Sequence, residues 1–205
     1  SIQLPFILLS ILFAVYYYKS IRNDSEAKKP VLSQGELVNK RTLLILFSGL
    51  TLGLAIFSKI PALTMIPVIA YLIFMQPKRY SEKLKALGLW FTPVILIPVI
   101  WPAYAISVGE YDNWYSGVFS QAGREGSGIG SIEILFKIDP LLVCIGILGI
   151  IFAAIMKRDL FLLIWIVPFL AFHTIVPWTQ HYHCLQAPPA FCIAGPRLIS
   201  RLNNF

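Results

Sequence analysis

The sequence predicts an all-α, polytopic transmembrane helix bundle of about seven helices with one long external loop. Three observations carry that prediction. Hydrophobic residues make up 57% of the 205 and charged ones only 13%, too few to clothe a soluble globule of this length. The apolar residues come in long continuous runs, whereas a membrane β-barrel would need alternating strands of about ten residues. All but three of the 17 Lys and Arg residues fall in alternate loops.

The apolar runs cover residues 2–18, 42–57, 60–75, 86–108, 140–156, 160–176 and a shorter stretch at 184–200. The first is flanked on its far side by 19–41, which mixes both charge signs with Ser, Gly and Pro and reads as a cytoplasmic linker. Residues 42–75 contain one charge, Lys59, in the sequence Ser58-Lys59-Ile60-Pro61. That stretch exceeds the roughly 20 residues of a single span, so it is expected to form two short helices with Lys59 at the tip of a hairpin. A charge at such a place is a functional candidate by default.

Pro93, Pro98 and Pro102 interrupt the fourth run, as Pro61 and Pro67 do the third, Pro168 the sixth, and Pro188 and Pro189 the last. Such breaks are tolerated in membrane helices where neighbours satisfy the freed carbonyls. His173 stands in an apolar run and reads as a buried structural histidine. Cys144, Cys184 and Cys192 make no CxxC pair and read as small buried hydrophobes.

Lys and Arg in 19–41, 76–85, 157–159 and 197–205 place those loops on the cytoplasmic side, leaving Lys59, Arg124 and Lys137 outside. The net charge of +7 then expresses topology and contact with anionic membrane lipids, and no nucleic-acid partner is expected. The chain is expected to be a multi-pass protein of a prokaryotic cell membrane. It opens at Ser1 inside an apolar segment, so the reading expects one transmembrane domain over residues 1–205 that continues a longer chain.

The external loop 109–139 holds Glu110, Tyr111, Asp112, Asn113, Trp114 and Tyr115, a glycine-rich stretch around Arg124, and then Ile132, Leu135 and Phe136 at helical spacing. The last three suit a short helix on the membrane interface. Tyr111, Trp114 and Tyr115 are either interfacial anchors or, with Trp178, a sugar platform, since aromatic faces meet the C–H faces of sugar rings while carboxylates meet hydroxyls. The glycines lack the Gly-Lys-Ser/Thr ending of a phosphate loop and suit a mobile lid. A second external motif contains Trp178, His181 and His183. Its histidines are candidates for phosphate or sugar contact, with a shared divalent metal as the alternative cofactor reading.

Residues 49–62, from Gly49 through Gly53-Leu54-Ala55 and Lys59 to Ala62, followed by Pro67, resemble the G-L-A-x-x-x-K-x-x-A…P hairpin of membrane glycosyltransferases of the GT-C class. The nearest likeness is to the dolichyl-phosphate-mannose protein mannosyltransferase and lipid A aminoarabinose transferase group. The His181-Tyr182 pair with Pro188-Pro189 is similar to the opening of a late helix in those proteins. The resemblance implies transfer of a sugar from a polyprenyl-phosphate donor to an external acceptor. It also implies that Lys59 and the His181 region face the donor cavity, and that the acidic catalytic residue lies upstream of Ser1. In that mechanism Lys59, Arg124, His181 and His183 bind the donor phosphate, and Asp112 or Glu110 is the catalytic base if none is supplied upstream. Two other classes fit the same runs of residues: a non-catalytic membrane subunit whose Lys59 pairs with a partner's acidic group, and a transporter with Pro-broken helices.

Overall fold

The computed structural model describes residues 2–26, 34–120, 130–157, 159–176, 184 and 186–202. These residues are helical throughout, joined by turns, with no strand among them. The chain divides into two compact units, Ser1–Gly109 and Glu110–Phe205.

In the first unit α1 (Gln3–Glu26) buries Gln3, Ile7, Ser10, Ala14, Tyr17 and Ile21. Their spacing alternates four and three, the seam of a helix that packs lengthwise on another. The partner is α2 (Gln34–Ser58), which buries Ile45, Ser48, Leu52 and Ala55 in the same alternation. Two serines fasten the seam reciprocally. Ser10 Oγ donates to the Ser48 carbonyl at 2.6 Å, and Ser48 Oγ donates to the Ser10 carbonyl at 2.9 Å. Further along, Arg41 Nη2 donates to the Ser20 carbonyl at 2.8 Å, so the two helices run antiparallel.

The other side of α2 receives α4 (Tyr80–Ser107). A Cβ added at Gly49 would stand 2.3 Å from the Trp90 carbonyl oxygen, and one at Gly53 would stand 2.6 Å from that of Pro93. Only glycine lets the backbones approach so closely, the small-xxx-small solution to helix packing without a solvent-driven force. Gly49 faces Trp90, Gly53 faces Pro93 and Ile97, and the Phe57 ring lies 5.3 Å from that of Trp101, so α2 and α4 run parallel.

Parallel neighbours require a return crossing, which residues 60–74 supply. Lys59 breaks the helix, a 3₁₀ segment Ile60–Met65 follows, and α3 (Ile66–Phe74) completes the return. The 3₁₀ segment rests on α2, but α3 lies against α1 and α4. The hairpin turns at Lys59, but the expectation of two short helices is corrected. Its first arm is the full 25-residue α2, and its second arm packs elsewhere because α1 and α4 already occupy both faces of α2.

The second unit begins with α5 (Tyr111–Phe119) and α6 (Gly130–Ile138), continues through α7 (Pro140–Phe152) with a π-helical extension Ala153–Lys157, and ends with α8 (Leu160–Ile175) and α9 (Pro188–Leu202). Asp139 caps α7, its Oδ1 accepting from the Leu142 N–H at 2.9 Å, while Pro140 enters the first turn where no N–H is needed. α7 and α9 lie side by side and parallel. Gly146 faces Phe191, and a Cβ at Gly149 would meet the Ala194 carbonyl at 2.7 Å. Ala153, Leu162 and Ala194 form a core covered by Ile150, Phe161 and Ile193. Trp165 Nε1 donates to the Gln186 carbonyl at 3.0 Å, and Arg197 pairs with Asp159.

Three helices, Gln3–Asn23, Asn39–Ser58 and Tyr80–Ser107, are long and apolar enough to cross a membrane. Ile60–Phe74, Pro140–Ile155 and Leu160–Ile175 are apolar but shorter. The last two, at 16 residues, reach about 24 Å against the roughly 30 Å of a bilayer core. Proline marks where several elements begin: Pro61, Pro140 and Pro188 each stand in the first two positions of a segment.

Residues 19–41, expected as a connector, are helical to Glu26 and again from Gln34. The loop 109–139 contains α5 and α6. His173 is buried between the rings of Phe169 and Phe172, at 4.6 and 5.3 Å. Of the cysteines only Cys184 is buried. Cys144 and Cys192 are exposed, because they sit on the sides of α7 and α9 turned away from the glycine contact.

The glycine contact is directly testable. Gly49→Leu should cost about 1–3 kcal/mol of stability through overpacking against α4. Gly88→Ala should not, since a Cβ there meets nothing within 4 Å, and the helix gains from alanine. Reversible unfolding in mixed micelles measures both.

Candidate functional site

Two places in the molecule carry the residues singled out by their chemistry. The first is the end of α2. There Ser58 Oγ and the Lys59 N–H both donate to the Ala55 carbonyl, at 2.8 and 2.9 Å, closing the helix. Lys59 itself has extended backbone, φ −157° and ψ 117°, and its carbonyl accepts from the Ala62 N–H at 3.1 Å. Pro61 offers no N–H to continue an α-helix, so the chain turns and leaves the Lys59 side chain exposed.

Helix directions decide what surrounds that tip. Because α1 is antiparallel and α4 parallel to α2, Lys19, Arg22, Lys40, Arg41, Lys78, Arg79, Lys83 and Lys85 all belong to the opposite end of the unit. Several are engaged there: Lys78 pairs with Glu82 at 3.6 Å, and Lys83 lies 5.0 Å over the Phe74 ring. Among the described residues of this unit, Lys59 alone among Lys and Arg stands at its own end.

The same end holds a polar group that the sequence reading missed. Gln3 is fully buried, and neither its Nε2 nor its Oε1 has a hydrogen-bond partner among the described residues. It lies seven residues before Ser10 on α1, and Ala55 lies seven after Ser48 on α2, so the amide is level with the last turn before Lys59. The heptad Gln3, Ser10, Tyr17 was present in the sequence as a pattern, hidden within a run that is apolar almost throughout.

The second place is α5. Glu110 precedes its first turn and accepts a hydrogen bond from Asn113 Nδ2, and Asp112 lies within that turn, where a negative charge suits the helix N-terminus. Tyr111 lies 5.6 Å from Trp114 and 6.1 Å from Tyr115, and Tyr115 lies 4.4 Å from Phe119, with the ring planes inclined by 31° to 34°. The helix therefore assembles five predicted site residues, Glu110, Tyr111, Asp112, Trp114 and Tyr115, in two turns. None of its side chains is buried.

Arg124, Trp178, His181 and His183 lie outside the described residues. Lys59 and the α5 group belong to different units. Among the described residues no three His, Cys, Asp or Glu side chains gather as a metal ion would require. Comparisons with protein-family models, with curated proteins and with solved structures give no match for this chain.

Next to α5 in sequence, α6 carries a pair whose titration is measurable. Lys137 Nζ lies 2.8 Å from Glu133 Oε1 on an exposed face, and that hydrogen bond, with the lysine's charge, holds the Glu133 carboxyl below its ordinary range. The depressed value means the contribution is present above the unfolded-state pKa and is lost as pH falls through the folded one. Lys137→Met should return the Glu133 midpoint upward to the usual carboxylate range. Carboxyl-carbon NMR of the labelled protein measures it, and an unmoved midpoint would discount the pair.

Proposed function

We propose that this chain is part of a multi-pass membrane glycosyltransferase that moves a sugar from a polyprenyl-phosphate donor to an acceptor on the side of the membrane opposite its basic loops. The observation that supports this best is the distance of Lys59 from the other described Lys and Arg of its unit. It caps the last turn of the most enclosed helix, at the end of its unit remote from the other described cations. With the basic end on the cytoplasmic side, an ammonium group is left at the external interface, where an anionic phosphate is the natural partner.

The chemistry asks for little more. The acceptor hydroxyl attacks the anomeric carbon, the bond from that carbon to the phosphate oxygen breaks, and the hydroxyl proton passes to a carboxylate base. Lys59 offsets the charge that grows on the departing phosphate, with Arg124, His181 and His183 as further donors. Among the carboxylates of the loop 109–139, Asp112 and Glu110 are assigned as candidates for the base. Membrane lipids are the surrounding partner, and no cofactor is required by these steps.

Lys59→Ala should lower transfer from a polyprenyl-phosphate sugar about a hundredfold or more while leaving membrane insertion intact. Unchanged transfer, or no transfer in the parent protein, would favour a non-catalytic subunit in which Lys59 pairs with an acidic partner. Replacing His181 and His183 together with Ala should reduce transfer by about tenfold to a hundredfold if they touch the phosphate, and addition of a chelator to the parent should do nothing. Inhibition by the chelator would instead assign the histidines to a metal.

A further inference from the structure

We propose that α5 lies flat in the headgroup layer of the bilayer, its aromatic face turned toward the acyl chains. This rests on reading the chain as a membrane protein, and it assigns the α5 rings to lipid instead of sugar.

The helix is divided cleanly. At 100° per residue, Trp114, Val118, Tyr111, Tyr115 and Phe119 occupy a continuous arc of about 140°, and Asp112, Ser116, Ser120, Asn113 and Gly117 fill the remainder. No residue of α5 is buried: Trp114 and Val118 are half-buried, and Tyr111, Tyr115 and Phe119 are exposed. The polar arc is satisfied locally: Asn113 donates to Glu110, Ser116 Oγ to the Asn113 carbonyl at 3.1 Å, and Ser120 Oγ to the Gly117 carbonyl at 3.3 Å. The apolar arc has no such internal solution and needs a partner.

The composition of that arc selects the partner. Two tyrosines and a tryptophan present apolar rings with polar tips, the combination that settles where hydrocarbon meets headgroups. Nine residues span only about 14 Å, far too little to cross the bilayer, so the helix has to lie along its surface. The rings touch one another in a row from Trp114 through Tyr111 and Tyr115 to Phe119. A row of mutually packed rings makes a long apolar strip, suited to a sheet of lipid more than to a single sugar.

Chain connectivity puts α5 at the right depth. Only Val108, Gly109 and Glu110 separate it from α4, and Gly109 takes φ +75°, which lets the chain change direction there. α4 is 28 residues long, about 42 Å, and exceeds the roughly 30 Å hydrocarbon core. Its last turns, with Tyr104 and Ile106 exposed, therefore end in the headgroup layer, and the next helix starts there.

The test uses the full chain in phosphatidylcholine and phosphatidylglycerol vesicles, with the three native cysteines replaced by Ala and a single nitroxide-labelled cysteine moved along positions 111–120. A reference label goes on Leu96 of α4, which is exposed. Collision with oxygen should peak at 111, 115 and 119, and collision with a nickel chelate at 112, 116 and 120. Chelate access at every α5 position, with Leu96 still in lipid, would overturn the α5 assignment alone. Exclusion of both reagents would overturn it in favour of a protein partner. Chelate access at Leu96 as well would remove the membrane reading beneath it. If the cysteine-free chain does not fold, quenching by brominated lipid, compared between the parent and Trp114→Phe, decides. The variant should lose a quenched component, and equal quenching would overturn the proposal.

Discussion

Close contact between backbones governs the first unit. Helices in lipid gain nothing from expelling water, so they are held by van der Waals fit and by the few hydrogen bonds that cross between them. α2 uses both devices, one on each face. Toward α4 it presents Gly49 and Gly53, with no side chain between the two backbones. Toward α1 it presents Ser48, whose hydroxyl and carbonyl exchange hydrogen bonds with Ser10. Burial follows this arrangement, greatest for α2, less for α1 and least for α4. The remaining elements of the unit fit around that central helix, and Lys59 is positioned by being its end.

The second unit repeats the solution with different residues. Gly146 and Gly149 admit Phe191 and Ala194, and a buried indole hydrogen bond and an ion pair close the other contacts. Small residues placed three or four apart are what allow both units to pack.

What was legible in the sequence follows from which physical signals survive projection onto one dimension. The all-helical class was legible because long apolar runs have few alternatives in lipid, and the break at Lys59 because proline cannot continue a helix. The segregation of charge was legible for the same reason, and in the first unit the helix directions agree with it. The return of α3 to α1 and α4 was not legible. It depends on which face of α2 is already filled, and Gly49 and Gly53 had been read only as part of a family likeness. α9 begins at Pro188, four residues after the start of its apolar run, because hydropathy does not register where a proline opens a helix. For the candidate site, Lys59 and the α5 cluster stood out as charges and aromatics in unusual company. Gln3 did not, since a lone amide near the start of an apolar run announces nothing until its neighbours are known.

The return segment of residues 60–74 has a consequence for how such a protein is made. α2 and α4 run the same way, so the chain has to be brought back between them by 15 residues, nine of them α-helical. A piece that short, beginning at Pro61 and interrupted again at Pro67, holds its place only once α1 and α4 are beside it. The return segment is thus a late element of the unit, docking once α4 is in place beside α1.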